Sequence, residues 1–97
     1  MAAYLIYRAT IHDMDAYRRD YMSQTPAILA AYGGKFVVRG GDVEVLEGEP
    51  ETARVVVIEF PDMASAKAFY HSAEYQQARK AREGIAEAQM ILVDGIT

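Results

Sequence analysis

Residues Ala31–Gly48 read AYGGKFVVRGGDVEVLEG. Two glycine pairs bracket the strand-like run Phe36–Arg39, and Gly48 closes a second such run, Val43–Glu47. Glycine at this density either wraps a phosphate or marks abrupt strand ends. A phosphate loop needs its glycines between a strand and the start of a helix, where unpaired N–H groups point at the ligand. Here a helical pattern comes first and strands follow. The glycines therefore stop a helix at Gly33, break or bulge a strand at Gly40-Gly41 and enter a hairpin turn at Gly48.

Upstream, AYLIYRATI at Ala3–Ile11 is rich in aromatic and β-branched residues and predicts a strand. Between it and the glycines, Asp13 is a candidate N-cap, and Met14, Tyr17, Tyr21, Ile28 and Tyr32 fall near one helical stripe. Pro26 lacks an N–H and cannot continue a helix, so Thr25-Pro26 reads as a fresh N-cap and first helical position. The expectation is two helical pieces, over 13–23 and 26–32. Downstream, GEPET at Gly48–Thr52 is a turn, and RVVVIEF at Arg54–Phe60 is the strongest strand in the chain. Asp62 caps a helix over 63–71, Ser72 caps a second piece reaching Arg82, and AQMILV at Ala88–Val93 is a closing strand. The order β-α-β-β-α-β predicts an α+β, ferredoxin-like subunit: one antiparallel sheet with both helical layers on one face.

The chain has 97 residues, enough for one domain (1–97) with a single core. It carries 14 acidic and 10 basic residues, a net charge of −4, which disfavours a nucleic-acid backbone as partner. Cysteine is absent, so disulfides, thiolate chemistry and cysteine-based metal sites are excluded. The apolar run at the N-terminus stops at Arg8, too early for a signal peptide or membrane span, and the expected compartment is the cytoplasm.

In an isolated two-layer fold the sheet face away from the helices should be polar. Here Val55 and Val57 alternate with Val56, Ile58 and Phe60, Tyr4 and Ile6 with Leu5 and Tyr7, and Ile91 and Val93 with Met90 and Leu92. Both faces are apolar, and no segment is left to cover the second one. The economical cover is a second copy packed sheet to sheet, a homodimer.

Several side chains are candidates for chemistry. Glu59 follows four aliphatic residues on the face of Val55 and Val57; it is either half of a structural ion pair or a general base. Arg39 ends a strand beside glycines, suited to loop carbonyls or to gripping a ligand carboxylate. Tyr17 and Tyr21, four apart, share a helical face, and Tyr75 follows the second helical break; such rings are core residues or the lining of a cleft. His12 and His71 stand alone, without metal-ligand spacing, although His71 could accept a proton. Arg79 and Arg82 suit a helix C-terminus, where cations are stabilised by the dipole. Neither a serine elbow nor a dinucleotide fingerprint is present, and no cofactor or metal is expected.

The segments AYGGKFVVRGG, EVLEG, VVVIEFPD and AKAFYHSAEYQ, with Tyr21, Pro26, Arg82 and a terminal VDG, run through nearly the whole chain. In that order and spacing they resemble the domain-of-unknown-function 1330 family. The resemblance implies dimeric α/β barrels of ferredoxin-like subunits, with Arg82 as an anion contact and a ligand cleft between helices and sheet. One departure is Phe69, where the family pattern usually has tryptophan. Similar barrels include cofactor-free monooxygenases, isomerases, haem enzymes and proteins without known chemistry, so fold alone does not select a function. The expectation is a protein that binds a small aromatic or carboxylated molecule, acting as a cofactor-free enzyme if it reacts at all. Tyr21, Arg39, Tyr75 and Arg82 would contact the ligand, and Glu59 or His71 would take a proton. The alternative is a dimerisation module without a ligand.

Overall fold

The computed structural model describes residues 1–97. Four strands, β1 (Ala3–Ile11), β2 (Lys35–Arg39), β3 (Arg54–Phe60) and β4 (Ala86–Asp94), form one antiparallel sheet in the order β2-β3-β1-β4. All the helical segments cover one face: α1 (Met14–Ala16), running into a π-helical segment Tyr17–Met22, then α2 (Thr25–Ala31), α3 (Met63–His71) and α4 (Ala73–Arg79). A 3₁₀ turn, Lys80–Arg82, follows α4. This is the expected ferredoxin-like topology. No helix is long and apolar enough to cross a membrane.

The helix starts follow their capping chemistry. Asp13 accepts from the Ala16 N–H at 3.1 Å, and Asp62 from the Ser65 N–H at 2.7 Å. Ser72 makes the joint between α3 and α4: its hydroxyl donates to the Phe69 carbonyl at 2.7 Å and accepts from the Tyr75 N–H at 3.1 Å. Gln24, rather than Thr25, occupies the N-cap of α2, and Thr25 is the first helical residue, buried beneath it. Gly33 ends α2 with φ of 80°, and Gly34 lies so close to the Phe60 ring that no side chain fits there. The opening glycines are structural.

Two further expectations need correction. The first helix is not α-helical throughout; its second half widens to a π-helix. Val43–Glu47 is not a strand, for the β2–β3 ladder ends at Arg39↔Val56 and the chain leaves it at Gly40, with φ of 70°. From there to Ala53 the chain makes no regular ladder and carries five acids, Asp42, Glu44, Glu47, Glu49 and Glu51. Strand-forming residues without a neighbouring strand have nothing to pair with.

On the helix side the registers align Phe36–Ile58–Leu5–Leu92 across all four strands. One residue along, the other side carries Val38–Val57–Ile6–Ile91. That outer row is flanked by two mixed rows, Lys35–Glu59–Tyr4–Val93 and Val55–Arg8–Gln89. The second face is therefore apolar in its middle and polar along its margins. Val38, Ile91 and Val93 are 41%, 45% and 45% exposed.

Candidate tyrosine–arginine cleft

A partly enclosed cavity lies between the helical layer and the sheet. Leu5, Val56 and Ile58 form its floor, Tyr17, Tyr21, Phe69 and Tyr75 its roof, and Arg39 and Arg54 one flank. The cavity holds about 30 Å³, room for a water-sized group rather than a whole organic molecule. Met22 and Met90 also line it, and their unbranched thioethers can repack around a larger guest.

Two departures from regular geometry build this cleft. The π-helical segment buries two residues, Tyr17 and Tyr21, and both face the cavity with ring centroids 5.0 Å apart. π-helical turns are frequent at functional sites because the extra residue re-aims side chains. In β2 a bulge between Phe36 and Val38 shifts the register, so Arg39 faces Val56 on the helix side. Simple alternation from Phe36 would send Arg39 to the opposite face. Instead its guanidinium lies 4.2 Å from the centre of the Phe36 ring, at the cleft.

Four buried tyrosines meet in the interior. The Tyr7 and Tyr17 hydroxyls are 2.8 Å apart, and those of Tyr21 and Tyr75 are 2.7 Å apart. Within each pair one O–H donates to the other oxygen. Burial pushes Tyr7, Tyr17 and Tyr21 above the usual tyrosine value, so all three stay neutral donors at physiological pH.

Arg82 approaches the same cluster from the turn after α4, with its guanidinium 5.6 Å from the ring centres of both Tyr7 and Tyr21. Its Nε is buried without a hydrogen-bond partner. Burial works against its charge, but the surrounding tyrosine oxygens outweigh that and hold it above the ordinary arginine value. The ion pairs of the protein are Arg8–Glu51, His12–Glu87, Arg19–Asp20 and Lys35–Glu59. Arg39, Arg54 and Arg82 appear in none of them. Three cations and four tyrosine hydroxyls thus gather in a protein of net charge −4, with no carboxylate or imidazole lining the cavity.

Among the residues singled out from sequence, Tyr21, Arg39 and Tyr75 line the cleft and Arg82 sits against its tyrosines. Glu59 does not. It lies on the outer face of the sheet, where Lys35 is 3.2 Å away and the Tyr4 hydroxyl donates to it at 3.1 Å. Hydrogen bonds from Lys35 and Tyr4 lower its pKa, making it a settled carboxylate. His71 is exposed at the end of α3 and faces a separate groove with Lys67 and Tyr70. Neither lines the cavity to take a proton there, because strand parity puts Glu59 on the wrong face and the end of α3 turns His71 outward. Arg54 was missed: at the head of β3 it reads as a strand-end charge, and only the sheet register brings it to the flank. Tyr7 was likewise hidden among the aromatic residues of β1. No cluster of histidines, aspartates or glutamates suits a metal ion.

A family model described as a domain of unknown function, DUF1330, matches residues 2–96. No curated protein matches the sequence. Among solved structures, a protein of unknown function from Rhodopseudomonas palustris is similar with a TM-score of 0.77 at 18% identity, over 99% of this chain and 83% of that one. SnoaB, a cofactor-independent oxygenase from Streptomyces nogalater, is similar with a TM-score of 0.69 at 16% identity, over 99% and 94% of the two chains. A dimeric protein of unknown function with a ferredoxin-like fold from Bacteroides fragilis has a TM-score of 0.56 at 14% identity, over 97% and 96%. At these identities the likeness is one of fold.

Proposed function

The chain belongs to the domain-of-unknown-function 1330 family, and from that premise we propose that it is a homodimeric protein that binds a small organic anion in the tyrosine–arginine cleft. One observation carries this: Arg39, Arg54 and Arg82 converge on four buried tyrosines with no carboxylate to neutralise them. A half-buried cation with an unpartnered buried N–H, as at Arg82 Nε, costs free energy unless an acceptor satisfies it. A carboxylate or enolate oxygen is such an acceptor and fits the water-sized cavity, while the rest of the molecule extends past Arg39, which is exposed. Tyr21 and Tyr75 would stack on it, and Arg82 and Arg54 would hold its charge.

The chemistry available in such a cleft is stabilisation of negative charge on a ligand oxygen. That SnoaB is a cofactor-independent oxygenase supports cofactor-free chemistry in this fold, without assigning the reaction. The dimer would pack the Val38–Val57–Ile6–Ile91 rows of two copies together inside their polar margins, the arrangement of an apolar interface core with a polar rim. The Bacteroides fragilis protein, described as dimeric, supports that assembly.

A second reading rests on the small cavity: Tyr17, Tyr21 and Phe69 fill most of the cleft, as a ligand-free dimerisation module would require. Native mass spectrometry and thermal-shift titration with a panel of aromatic and aliphatic carboxylates separate the two. The binding reading expects a retained ligand or a concentration-dependent rise in Tm, lost in Arg82→Met. A bare dimer that no carboxylate stabilises, with Arg82→Met behaving as wild type, would overturn it in favour of the module.

A further inference from the structure

We propose that the open groove on the far side of Arg54 is the second half of the ligand site: it takes the apolar body of a monocarboxylate whose head group enters the tyrosine–arginine cleft, and Arg54 grips the carboxylate at the junction. This rests on the carboxylate reading above and deepens it, because it says where the body of the molecule lies and what chemistry that body has.

Arg54 is the one residue that lines both spaces. On one side lies the cavity of about 30 Å³, on the other a solvent-open groove of about 330 Å³. The strand register makes this junction. Arg54 pairs with Ala9 across the β1–β3 ladder, two residues along from the Tyr7–Val56 pair, so its side chain leaves the sheet on the helix side. Ala9 is too small to fill the space beside it, and the groove opens there. Beyond Arg39 the guanidinium rests on Gly40, where an added Cβ would overlap it, so the missing side chain of Gly40 is what lets Arg54 reach the cleft. Its hydrogen bond to the Arg39 carbonyl is long, 3.5 Å, and it joins no ion pair. Most of its five N–H donors are free to turn to a carboxylate.

The lining of the groove selects the body. Ala9, Ile11, Met14 and Ala53 give it apolar walls, Thr52 and Arg54 are its polar side chains, and no acid lines it. The carboxylate next along the chain, Glu51, is taken by Arg8 and by the Ala53 N–H, the latter at 3.0 Å. An apolar trough with a single cation at its inner end fits a molecule with an apolar body and one negative head. A dicarboxylate would leave its second charge against Ile11 and Met14 without a cation. The groove also resolves a mismatch of size: the cavity admits a carboxylate and little more, and the adjoining trough has an order of magnitude more room for the carbons attached to it.

The test titrates the whole chain with acetate, butyrate, hexanoate and, as an uncharged control, hexan-1-ol, following backbone amide chemical shifts. The expected result is an affinity that rises about two- to four-fold per methylene, the range for a methylene half to fully removed from water, with the Gly40, Thr52 and Ala53 amides moving as the chain lengthens. Arg54→Met should weaken every carboxylate about ten-fold. Ala53→Phe and Met14→Trp fill the groove from two different walls, so the misfolding of one leaves the other to decide; each should flatten the series, with hexanoate losing about ten-fold more than acetate. Carboxylates that bind with no dependence on chain length, in wild type and filled variants alike, overturn the groove and leave the cleft reading standing. Hexan-1-ol binding as tightly as hexanoate, or carboxylate binding undiminished in Arg54→Met, overturns the grip at the junction. A chain in which no carboxylate moves any cleft or groove amide overturns this proposal and the carboxylate reading together.

Discussion

On the helix side of the sheet the row Phe36–Ile58–Leu5–Leu92 lies under the helices, while one residue along each strand the row Val38–Val57–Ile6–Ile91 meets solvent. The two rows have nearly the same residue types. What separates them is connectivity: both β-α-β connections pass over the same face, so the chain's own helices cover one row and not the other. Strand periodicity says which residues share a face. It says nothing about what covers that face.

Four substitutions test this contrast. The largest effect belongs to Phe69→Ala. Phe69 is 1% exposed and packs on Phe60 and Tyr75 at ring distances of 5.3 and 4.6 Å, so its loss should cost about 3–5 kcal/mol by urea denaturation. A cost below about 1 kcal/mol would show that the helix-side core is far looser than its burial implies. Tyr17→Phe keeps the ring and removes the hydroxyl bound to Tyr7; about 1–2 kcal/mol is expected from the same measurement.

The outer face gives a smaller, pH-dependent effect. The folded-state pKa of Glu59 is depressed by Lys35 and Tyr4, so its contribution is present above the ordinary carboxylate range and is lost as pH falls through the depressed value. Glu59→Gln should therefore flatten the loss of stability on acidification below about pH 5, leaving the part due to Asp20, Glu51 and Asp62, whose values are also lowered. A curve from Glu59→Gln that superimposes on wild type would remove Glu59 from the acid response. Arg82→Met should change stability least, because it retains an apolar stem and deletes an unpartnered buried Nε. A Tm equal to or above wild type, with carboxylate binding lost, is the pattern of a residue kept for a ligand. A fall in Tm comparable to Phe69→Ala would instead make Arg82 a structural pillar of the tyrosine cluster.

The sequence was informative wherever a local rule operates. Asp62 and Ser72 cap the helices they predict, Gly33 stops α2, and RVVVIEF spans β3. It failed where the decisive feature is one residue out of phase. The π-helical segment and the bulge in β2 each break a period, and together they set the orientations of Tyr17, Tyr21 and Arg39. Val43–Glu47 failed for another reason: its propensity is that of a strand, but a strand also needs a ladder, which the protomer does not offer.

By itself, the amino-acid sequence determined the element order, the ferredoxin-like fold class and the apolar rows on both sheet faces, since these follow from periodicity and capping within short windows of chain, and its motifs in their order carried the resemblance to the family. Only the tertiary structure decided that Glu59 lies outside the cleft, that Arg39 and Arg54 line it and that Arg82 sits against its tyrosines, all three without a carboxylate partner. Those outcomes depend on strand register and on the contents of a cavity assembled from residues as far apart as Tyr7 and Met90, a separation that local pattern does not cross.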